Sequence, residues 1–459
     1  MQDEYDLIVV GGGPAGYVAA IRAASLGAKV VLAERDVLGG TCLNRGCIPT
    51  KSYLQTAEAL LDARDWASRG IVLDSAPRID MKAALACKNR AVMRLAGGVK
   101  ILLESRAVGI LHGQAVLRGP GKVEVEGVGA IRARAVILAG GSLSTRLPIP
   151  GSESKRVLLS EEILALDYVP ASLVVIGGGV IGVEIAQILS AFGCAVTIVE
   201  LEERILPTLE AELSEVAQAA LSRRGIAIHT GVAIRSIEEG PGGIELLLGD
   251  GLKLEAELAL LSVGRRPDLS CLGDSGIAVD RGRVLVDERM ATNLPGVFAP
   301  GDLNGLKMLA HAAFAMGETA ADGALGKPRK VELALVPSVV YGKPELASIG
   351  LTEAQAREAS DRISVGFFPF TANGRAVASG DTEGFVKMII EPRHGEILGV
   401  HIAGGCASEL INEAATLMRM EATAHEVVGT MHAHPTRSEA IMEAAAAALG
   451  RGVHVPGGE

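Results

Sequence analysis

Two cysteines stand close together in a glycine-rich stretch that reads GGTCLNRGCIPTK at positions 39–51. Cys42 and Cys47 are five positions apart, and a loop that short gains little stability from a structural disulfide. An undistorted helix would separate such positions by roughly 8 to 9 Å, beyond the usual disulfide Cα distance of about 4.4 to 6.8 Å. We therefore expect a redox-active pair at a distorted helix start, where free backbone N–H groups also favour a thiolate.

Two other interpretations of this cysteine pair stay open on the residues alone. The thiols could be buried and inert, or they could form half of a metal site. The spacing lacks the short separation that is usual for zinc, and no second Cys or His pair follows nearby to complete four ligands. We predict no metal site.

A histidine and a carboxylate near the C-terminal end are the second candidates for chemistry. The stretch HAHPTRSEA places His434 directly before Pro435, and Glu439 five positions after the histidine. A carboxylate that holds one imidazole nitrogen orients the ring as a base, which can take a proton from a thiol near neutral pH. The alternative is a solvated histidine beside a helix N-cap.

The elements that must position these groups include a strand, glycine turn, helix and strand that occur twice. The glycines allow a tight turn, the approach of a pyrophosphate to bare backbone, and close packing of helix on strand. In each copy an acid, Glu34 or Glu200, stands 23 positions after the first glycine, where it can bind a ribose diol. The two copies predict two dinucleotide sites, built on Gly11, Gly13, Gly16, Gly177, Gly179 and Gly182.

The acid of the second copy bears on which pyridine nucleotide binds there. Glu200 would repel a 2′-phosphate and accept a hydrogen bond from a free 2′-hydroxyl, which favours NAD over NADP. Arg204 stands close by, and NADP sites use arginine, so this alternative stays open.

Hydrophobic periodicity predicts the remaining elements. Helical spacing runs from Thr56 to Ser105 with few breakers before Gly97-Gly98, and an Ala-rich helix is predicted at residues 306–325. Residues 107–139 alternate apolar and polar side chains, as small antiparallel strands do.

Composition excludes several classes of partner. The 459 residues carry a net charge of -10 with scattered Lys and Arg, so neither nucleic acid nor a membrane is an expected partner. The first apolar strand begins at about Tyr5, and we expect no signal peptide. Cysteines isolated in sequence suit a reducing compartment, so we predict a cytoplasmic protein.

Together with ATNLPGVFAPGDL at residues 291–303, these motifs make the chain resemble the pyridine nucleotide-disulfide oxidoreductases. The resemblance covers residues 5–450 and is strongest to the branch that oxidises the dihydrolipoyl group of 2-oxo acid dehydrogenase complexes, the branched-chain complex being the first expectation. It implies an α/β fold with two Rossmann-like dinucleotide-binding domains and a C-terminal α+β interface domain. The expected domains are 1–145 for FAD, 146–268 for NAD, 269–336 completing the FAD site, and 337–459 for the dimer interface.

The resemblance also assigns roles to individual residues. The first fingerprint with Glu34 would bind the ADP half of FAD, and Asp302 would hold its ribityl chain. Lys51 would lie near flavin N5 together with Glu184. Cys47 would be the thiol next to the flavin and Cys42 the thiol that exchanges with substrate. The predicted cofactor-binding set is completed by Gly113, Ser142, Gly264 and Ala310.

The implied reaction is oxidation of a dihydrolipoyl dithiol with reduction of NAD. His434 would deprotonate the dithiol, which attacks the Cys42–Cys47 bridge, and the electrons then pass through FAD to NAD. The histidine would come from the partner subunit of a homodimer. The other expected partners are the acyltransferase core that carries the dihydrolipoyl group and the subunit-binding domain of that acyltransferase.

Two alternatives to this reaction remain. A glutathione-type disulfide reductase shares the thiol pair and the base, runs in the opposite direction and usually needs NADPH. A flavin-bound interaction protein without catalysis would keep the fold. Arg45 and Arg437 stand where apolar residues are common in the family, and we expect them to alter access to the site.

Overall fold

The computed structural model describes residues 5–240 and 242–454. In its first part a seven-stranded sheet has the order β3-β2-β1-β6-β5-β4, and β19 pairs with β6. The strands up to residue 144 are β1 (Tyr5–Val10), β2 (Val30–Glu34), β3 (Gly109–His112), β4 (Ala115–Leu117), β5 (Lys122–Val125), β6 (Gly129–Leu138) and β7 (Ser142–Ser144). The helices are α1 (Pro14–Ser25), α2 (Gly40–Arg45), α3 (Cys47–Asp65) and α4 (Met81–Ser105).

A second parallel sheet follows, with strand order β11-β10-β9-β15-β8. Its neighbours are a three-stranded antiparallel sheet, β12-β13-β14, and the pair β16-β7. These strands are β8 (Val157–Leu159), β9 (Ser172–Ile176), β10 (Ala195–Val199), β11 (Ala227–His229), β12 (Ile234–Gly240), β13 (Gly243–Leu248), β14 (Lys253–Ala256), β15 (Leu258–Leu261) and β16 (Arg265–Pro267). The helices are α5 (Ser160–Ile163), α6 (Val180–Phe192) and α7 (Ala211–Arg223).

The chain then returns to the first sheet before it forms a C-terminal layer. The returning elements are β17 (Val279–Asp280), β18 (Arg283–Val284), β19 (Val297–Phe298) and α8 (Ala310–Ala324). Helix α8 packs closely on α1 at Gly317, which has no side chain. A Cβ there would lie only 2.4 Å from the Ala15 carbonyl oxygen. This contact brings the segment after β19 to the mouth of the first fingerprint.

The C-terminal sheet is antiparallel, with strand order β20-β21-β24-β23-β22. Its strands are β20 (Ser338–Val340), β21 (Leu346–Gly350), β22 (Ser364–Pro369), β23 (Phe385–Ile390) and β24 (Ile397–Ala403). Its helices are α9 (Glu353–Ala359), α10 (Gly374–Ser379), α11 (Ala407–Arg419), α12 (Ala424–Gly429) and α13 (Glu439–Ala448). The predicted fold class, two Rossmann-like units and a C-terminal α+β unit, is confirmed. The four residue boundaries stay a prediction.

A buried lysine joins the second parallel sheet's unit to the C-terminal sheet. The Lys387 ammonium on β23 lies 2.8 Å from Glu210 Oε1, 2.6 Å from Glu212 Oε1 and 2.7 Å from Glu353 Oε2, and its side chain is 2% exposed. Burial alone would lower the pKa of Lys387, but the three carboxylates raise it. The ammonium thus provides the opposite charge for all three of these neighbouring carboxylates.

The structure differs in two respects from the helical spacing predicted for Thr56 to Ser105, with few breakers before Gly97-Gly98. Helix α3 ends at Asp65, the next turn tightens to a 3-10 helix at Trp66–Arg69, and Gly70 adopts a left-handed φ of 79° that stops it. Gly97 and Gly98 do not break α4, because Val99 and Leu103 are buried against the first sheet and hold the helix through them. The residues 107–139 are only partly antiparallel, since β3 and the end of β6 pair in parallel.

None of the helices within residues 5–240 and 242–454 combines the length and the apolar character that a membrane crossing needs.

Candidate active site

The two cysteines lie on either side of a break between two helices. Cys42 is in α2, Cys47 is the first residue of α3, and Gly46 between them has φ -131° and ψ -103°, outside the helical range. The turn before α2 uses left-handed glycines, with φ 94° at Gly39 and 57° at Gly40. The distorted helix start expected from the spacing is therefore present.

The structure describes the pair as free thiols that share a hydrogen bond. That bond lowers the pKa of Cys47 to about 7, helped by the Lys51 ammonium and opposed by burial and by Glu184. The same bond raises the pKa of Cys42, and burial adds to the rise. Cys42 is therefore the donor and Cys47 the group that carries the thiolate near neutral pH.

Lys51 and Glu184 meet beside Cys47, as the resemblance implied. The Lys51 ammonium lies 2.8 Å from Glu184 Oε2 and 3.0 Å from Oε1, and the carboxylate side chain is 4% exposed. Tyr341 joins them from the C-terminal layer, because its backbone N–H donates to Glu184 Oε1 at 3.0 Å. Its ring lies 4.4 Å from the Lys51 ammonium.

The first fingerprint has the geometry of a dinucleotide turn. Gly11 has a left-handed φ of 99°, and a Cβ at Gly16 would lie 1.8 Å from the Gly11 carbonyl oxygen. Gly13 is the N-cap of α1, and Glu34 accepts from the Gly12 N–H at 2.6 Å. Gly113, whose N–H donates to the Glu34 carbonyl at 3.0 Å, lies at the same edge of the sheet.

Asp302 lies at the opening of this first unit, where it accepts a hydrogen bond from the Ser142 hydroxyl. The Ser142 hydroxyl donates to Asp302 Oδ2 at 2.6 Å, and Arg265 Nε donates to the Ser142 oxygen at 2.8 Å. Asp302 stands in the 3-10 helix Gly301–Asn304, directly before α8, whose first residue is Ala310. The structure thus brings Ser142 and Asp302 together, and Arg265 is a neighbour that the sequence did not single out.

The second fingerprint repeats the main contacts of the first. A Cβ at Gly182 would lie 2.1 Å from the Gly177 carbonyl oxygen, and Glu200 accepts from the Gly178 N–H at 2.6 Å. Gly179 is the N-cap of α6, with nothing within 4 Å of its Cβ position. Gly264 stands directly before β16, has a φ of 105°, and its Cβ position is equally open.

One nitrogen of the Arg204 guanidinium is engaged within its own loop. Its guanidinium donates to the carbonyls of Pro207 and Leu209 at 3.1 and 3.2 Å, within its own loop. Glu202 and Glu203 add further negative charge directly after Glu200. The local charges favour NAD over NADP.

The residues present fit dinucleotides in both units. Helices α1 and α6 begin without a side-chain cap and without an acid in the first turn, so their N–H groups remain available to a pyrophosphate. Each oxygen of Glu34 accepts one backbone N–H, which leaves lone pairs for a ribose diol. Glu200 has the same two bonds.

The predicted base has the expected orientation. His434 Nδ1 lies 2.8 Å from Glu439 Oε1, and the imidazole is 77% exposed. Burial would raise the pKa of Glu439, but the Thr436 N–H and His434 lower it. Within the described residues of one chain, no hydrogen bond or ion pair joins His434 to either thiol.

The two unusual arginines take part in defined contacts. Arg45 pairs with Asp36 at the surface. Arg437 donates to Asp381 Oδ2 at 2.7 Å and to the Ser379 hydroxyl at 3.2 Å, which ties the loop that carries His434 to the end of α10. Neither contact removes a predicted reacting group, and their effect on substrate access stays a prediction.

Comparison with known proteins agrees with this geometry. Residues 5–317 match the family described as pyridine nucleotide-disulphide oxidoreductase, and residues 336–445 match its dimerisation domain. The chain belongs to this family. It is an oxidoreductase whose expected cofactors, FAD and NAD, follow from that membership, and the second match supports a homodimer.

Relatives within the family cover the whole chain. The dihydrolipoyl dehydrogenase of Bacillus subtilis is 38% identical over 98% of this chain and 98% of its own length. That of Thermus scotoductus is 40% identical over 98% of this chain and 99% of its own. Among solved structures, LpdA from Mycobacterium tuberculosis is 27% identical, with a TM-score of 0.89 over 96% of this chain and 99% of that one.

Proposed function

We propose that this protein oxidises dihydrolipoyl groups and reduces NAD through the Cys42–Cys47 pair. The observation that carries the proposal is the thiol pair itself, in which a hydrogen bond and the Lys51 ammonium favour one thiolate at Cys47 near pH 7. The names of the relatives from Bacillus subtilis and Thermus scotoductus support dihydrolipoyl dehydrogenase as the activity.

The thiol chemistry balances as two exchanges. When the pair is oxidised, one substrate thiolate attacks Cys42 Sγ and breaks the Cys42–Cys47 bond, and Cys47 leaves as a thiolate. The second substrate thiolate then attacks the substrate sulfur bonded to Cys42, which releases the cyclic disulfide and leaves Cys42 reduced. The substrate has lost two electrons and two protons, and the enzyme pair has gained two electrons.

The other residues hold charges and protons during this exchange. His434, oriented by Glu439, takes the protons from the substrate thiols. Lys51 stabilises the leaving Cys47 thiolate, while Glu184 fixes the Lys51 ammonium. Bound FAD, held by the first unit with Asp302 and Ser142, supplies electron transfer from the thiol pair to the pyridine nucleotide.

The second unit would bind NAD. Glu200 would accept hydrogen bonds from the ribose diol, and the open backbone at Gly179 would receive the pyrophosphate. The acids around Glu200 disfavour the NADPH-dependent glutathione-type alternative.

A second copy of the chain would complete the site. His434 makes no described contact with the thiols of its own chain, and residues 336–445 match a dimerisation domain. We infer that each His434 serves the thiol pair of its partner.

We also infer a cytoplasmic location, which suits the exposed free thiols of Cys87 and Cys406. We further infer docking on the subunit-binding domain of an acyltransferase core.

The shared site has a direct test in mixed dimers. Cys42→Ser and His434→Ala homodimers should each lose dihydrolipoamide turnover by on the order of 10³-fold. A heterodimer of the two variants keeps one intact site if the histidine crosses between subunits, and it should recover about half of the wild-type rate. No recovery in purified heterodimers would show that the base acts within its own chain.

The thiol chemistry and the complex served need separate measurements. Full turnover by Cys42→Ser would overturn the proposed reaction, and Cys87→Ser, at an exposed cysteine outside the site, is the matched control. Turnover with reconstituted branched-chain, pyruvate and 2-oxoglutarate complexes would identify the complex. We expect the branched-chain complex to give the highest rate.

A further inference from the structure

Tyr341 reaches the redox site from a different part of the fold. It follows β20 in the C-terminal sheet, whereas Lys51 lies on α3 and Glu184 on α6. Its backbone N–H donates to Glu184 Oε1 at 3.0 Å, and its ring lies 4.4 Å from the Lys51 ammonium. The ammonium is therefore held between a carboxylate and the face of an aromatic ring, a favourable position for a cation.

We propose that Tyr341 is a positioning residue for the thiol pair, holding the Lys51 ammonium and the Glu184 carboxylate in the arrangement that stabilises the Cys47 thiolate. This inference rests on the proposed function only in taking the thiolate as the reacting species. Tyr341 does not exchange electrons or protons in it.

The loop that carries Tyr341 is fixed firmly enough to position its neighbours. The Lys343 N–H donates to Gln187 Oε1 at 3.1 Å, and a Cβ at Gly342 would lie 2.4 Å from the Gln187 amide. On the other side, the Lys343 ammonium lies 2.6 Å from Asp62 Oδ1 on α3. The loop is thereby tied to both helices that bear the Lys51 and Glu184 pair.

The Tyr341 ring acts on Cys47 through the charged groups that surround the thiol. Cys42 and Lys51 lower the pKa of the Cys47 thiol, whereas burial and Glu184 raise it. The Lys51 side chain is 32% exposed, so without the ring the ammonium gains freedom to move towards solvent. That movement weakens the stabilisation of the Cys47 thiolate by the ammonium.

The tyrosine hydroxyl itself stays neutral in the range where the thiol titrates. Burial raises the pKa of Tyr341, and the nearby charges of Glu345, Glu184, Glu409 and Cys47 raise it further. The ring and the backbone N–H, rather than the hydroxyl, are therefore the groups that act on Lys51 and Glu184.

The test measures the reactivity of Cys47 in the reduced, flavin-loaded protein. The rate of iodoacetamide alkylation at Cys47, followed by mass spectrometry against pH, reports the thiolate fraction. Tyr341→Leu should move the midpoint upward by about half a pH unit, equal to a roughly threefold slower alkylation at pH 6. Tyr341→Phe keeps the ring and should match the wild type.

Tyr5→Leu is the matched control, because it removes another ring that lies 5.0 Å from a lysine ammonium, that of Lys29, away from the thiols. It should leave the midpoint unchanged. If Tyr341→Leu does not accumulate as folded protein, Tyr341→Met removes the ring face with a similar side-chain length.

A second background shows whether Tyr341 acts through Lys51. In Lys51→Met protein, Tyr341→Leu should cause no further change in the midpoint. An additive shift in that background, or an unchanged midpoint in the single leucine variant, would overturn the inference. Neither result would affect the requirement for Cys42 in turnover, so failure here is distinguishable from failure of the proposed function.

Discussion

The two dinucleotide units share one fingerprint geometry but differ in what covers it. Glu34 and Glu200 each accept a backbone N–H at 2.6 Å from the second glycine of the turn. In the first unit, Gly40 of the redox segment, residues 39–51, approaches Gly13, whose Cβ position is 3.8 Å from the Gly40 Cα. In the second unit nothing lies within 4 Å of the corresponding position at Gly179.

We predict that this difference distinguishes a retained cofactor in the first unit from an exchanging one in the second. We predict that a group bound in the first unit would be covered by the redox segment at Gly40, and that its release would require movement of that segment. The open position at Gly179 predicts that a group bound in the second unit would meet less of the chain at this point. On this prediction, the elements packed over the turn decide whether its ligand is retained or exchanged.

The largest effect is expected when a methyl group is added to the glycine turn of either unit. Gly16→Ala places a Cβ 1.8 Å from the Gly11 carbonyl oxygen, and we expect a loss of at least ~3 kcal/mol in the free energy of unfolding together with the bound FAD. Gly182→Ala makes the equivalent overlap with Gly177 and should abolish NAD reduction while FAD is retained. Flavin absorbance and thermal unfolding distinguish the two, and equal flavin loss in both variants would contradict the comparison.

The next effect separates the thiols of the two units. Hydrogen bonding from Cys42 lowers the pKa of Cys47 to about 7, so alkylation should be slow below pH 6 and rise through pH 7 as the thiolate forms. Burial and then Glu257 raise the pKa of Cys194, in the second unit, to about 12. Mass spectrometry at pH 7.5 should find Cys47 alkylated and Cys194 intact, and a comparable rate at both would contradict the assignment.

A smaller effect is expected at the acid of the second unit. Glu200→Gln weakens a charge-assisted hydrogen bond to the ribose and should raise the KM for NAD about tenfold, with kcat little changed. Arg204→Met should leave the preference for NAD intact, because the guanidinium already binds carbonyls of its own loop. Efficient use of NADP by the unaltered protein would contradict this interpretation.

The smallest effect is predicted for the stability of Gly179→Ala. Its Cβ meets open space and its φ of -74° suits any residue, so the free energy of unfolding should change by less than ~0.5 kcal/mol. The KM for NAD should nevertheless rise, because the added methyl group occupies the approach of the pyrophosphate. A large loss in the free energy of unfolding, measured with denaturant, would show that the space beside Gly179 is not open in solution.

Features set by neighbouring residues could be predicted from the sequence. The fingerprints, the break at the redox pair and the His434 contact with Glu439 all depend on spacing within short stretches, where turn and helix geometry fix the outcome. The pairing of Lys51 with Glu184 spans 133 positions and came from the family resemblance, which the structure supports as a contact.

Features set by packing between distant elements could not be predicted in this way. Arg265 and Tyr341 enter the site from other strands and loops, and no local pattern marks which arginine or tyrosine will do so. The end of α3 is an exception, because the helix breakers Gly70 and Pro77 follow it in the sequence. The continuation of α4 through Gly97 and Gly98 could not be predicted locally. Burial of Val99 and Leu103 offsets the helix-propensity cost of about 1 kcal/mol per glycine.

The Lys387 ammonium and its three carboxylates have a consequence for how the molecule comes apart. Separating β23 from α7 would strip a buried cation of its partners and leave mutually repelling acids, so partial opening at this junction is disfavoured. The unit of the second parallel sheet and the C-terminal sheet should therefore unfold as one cooperative block in calorimetry. Added salt should do little to loosen that block, because the charge at its centre lies beyond the reach of mobile ions.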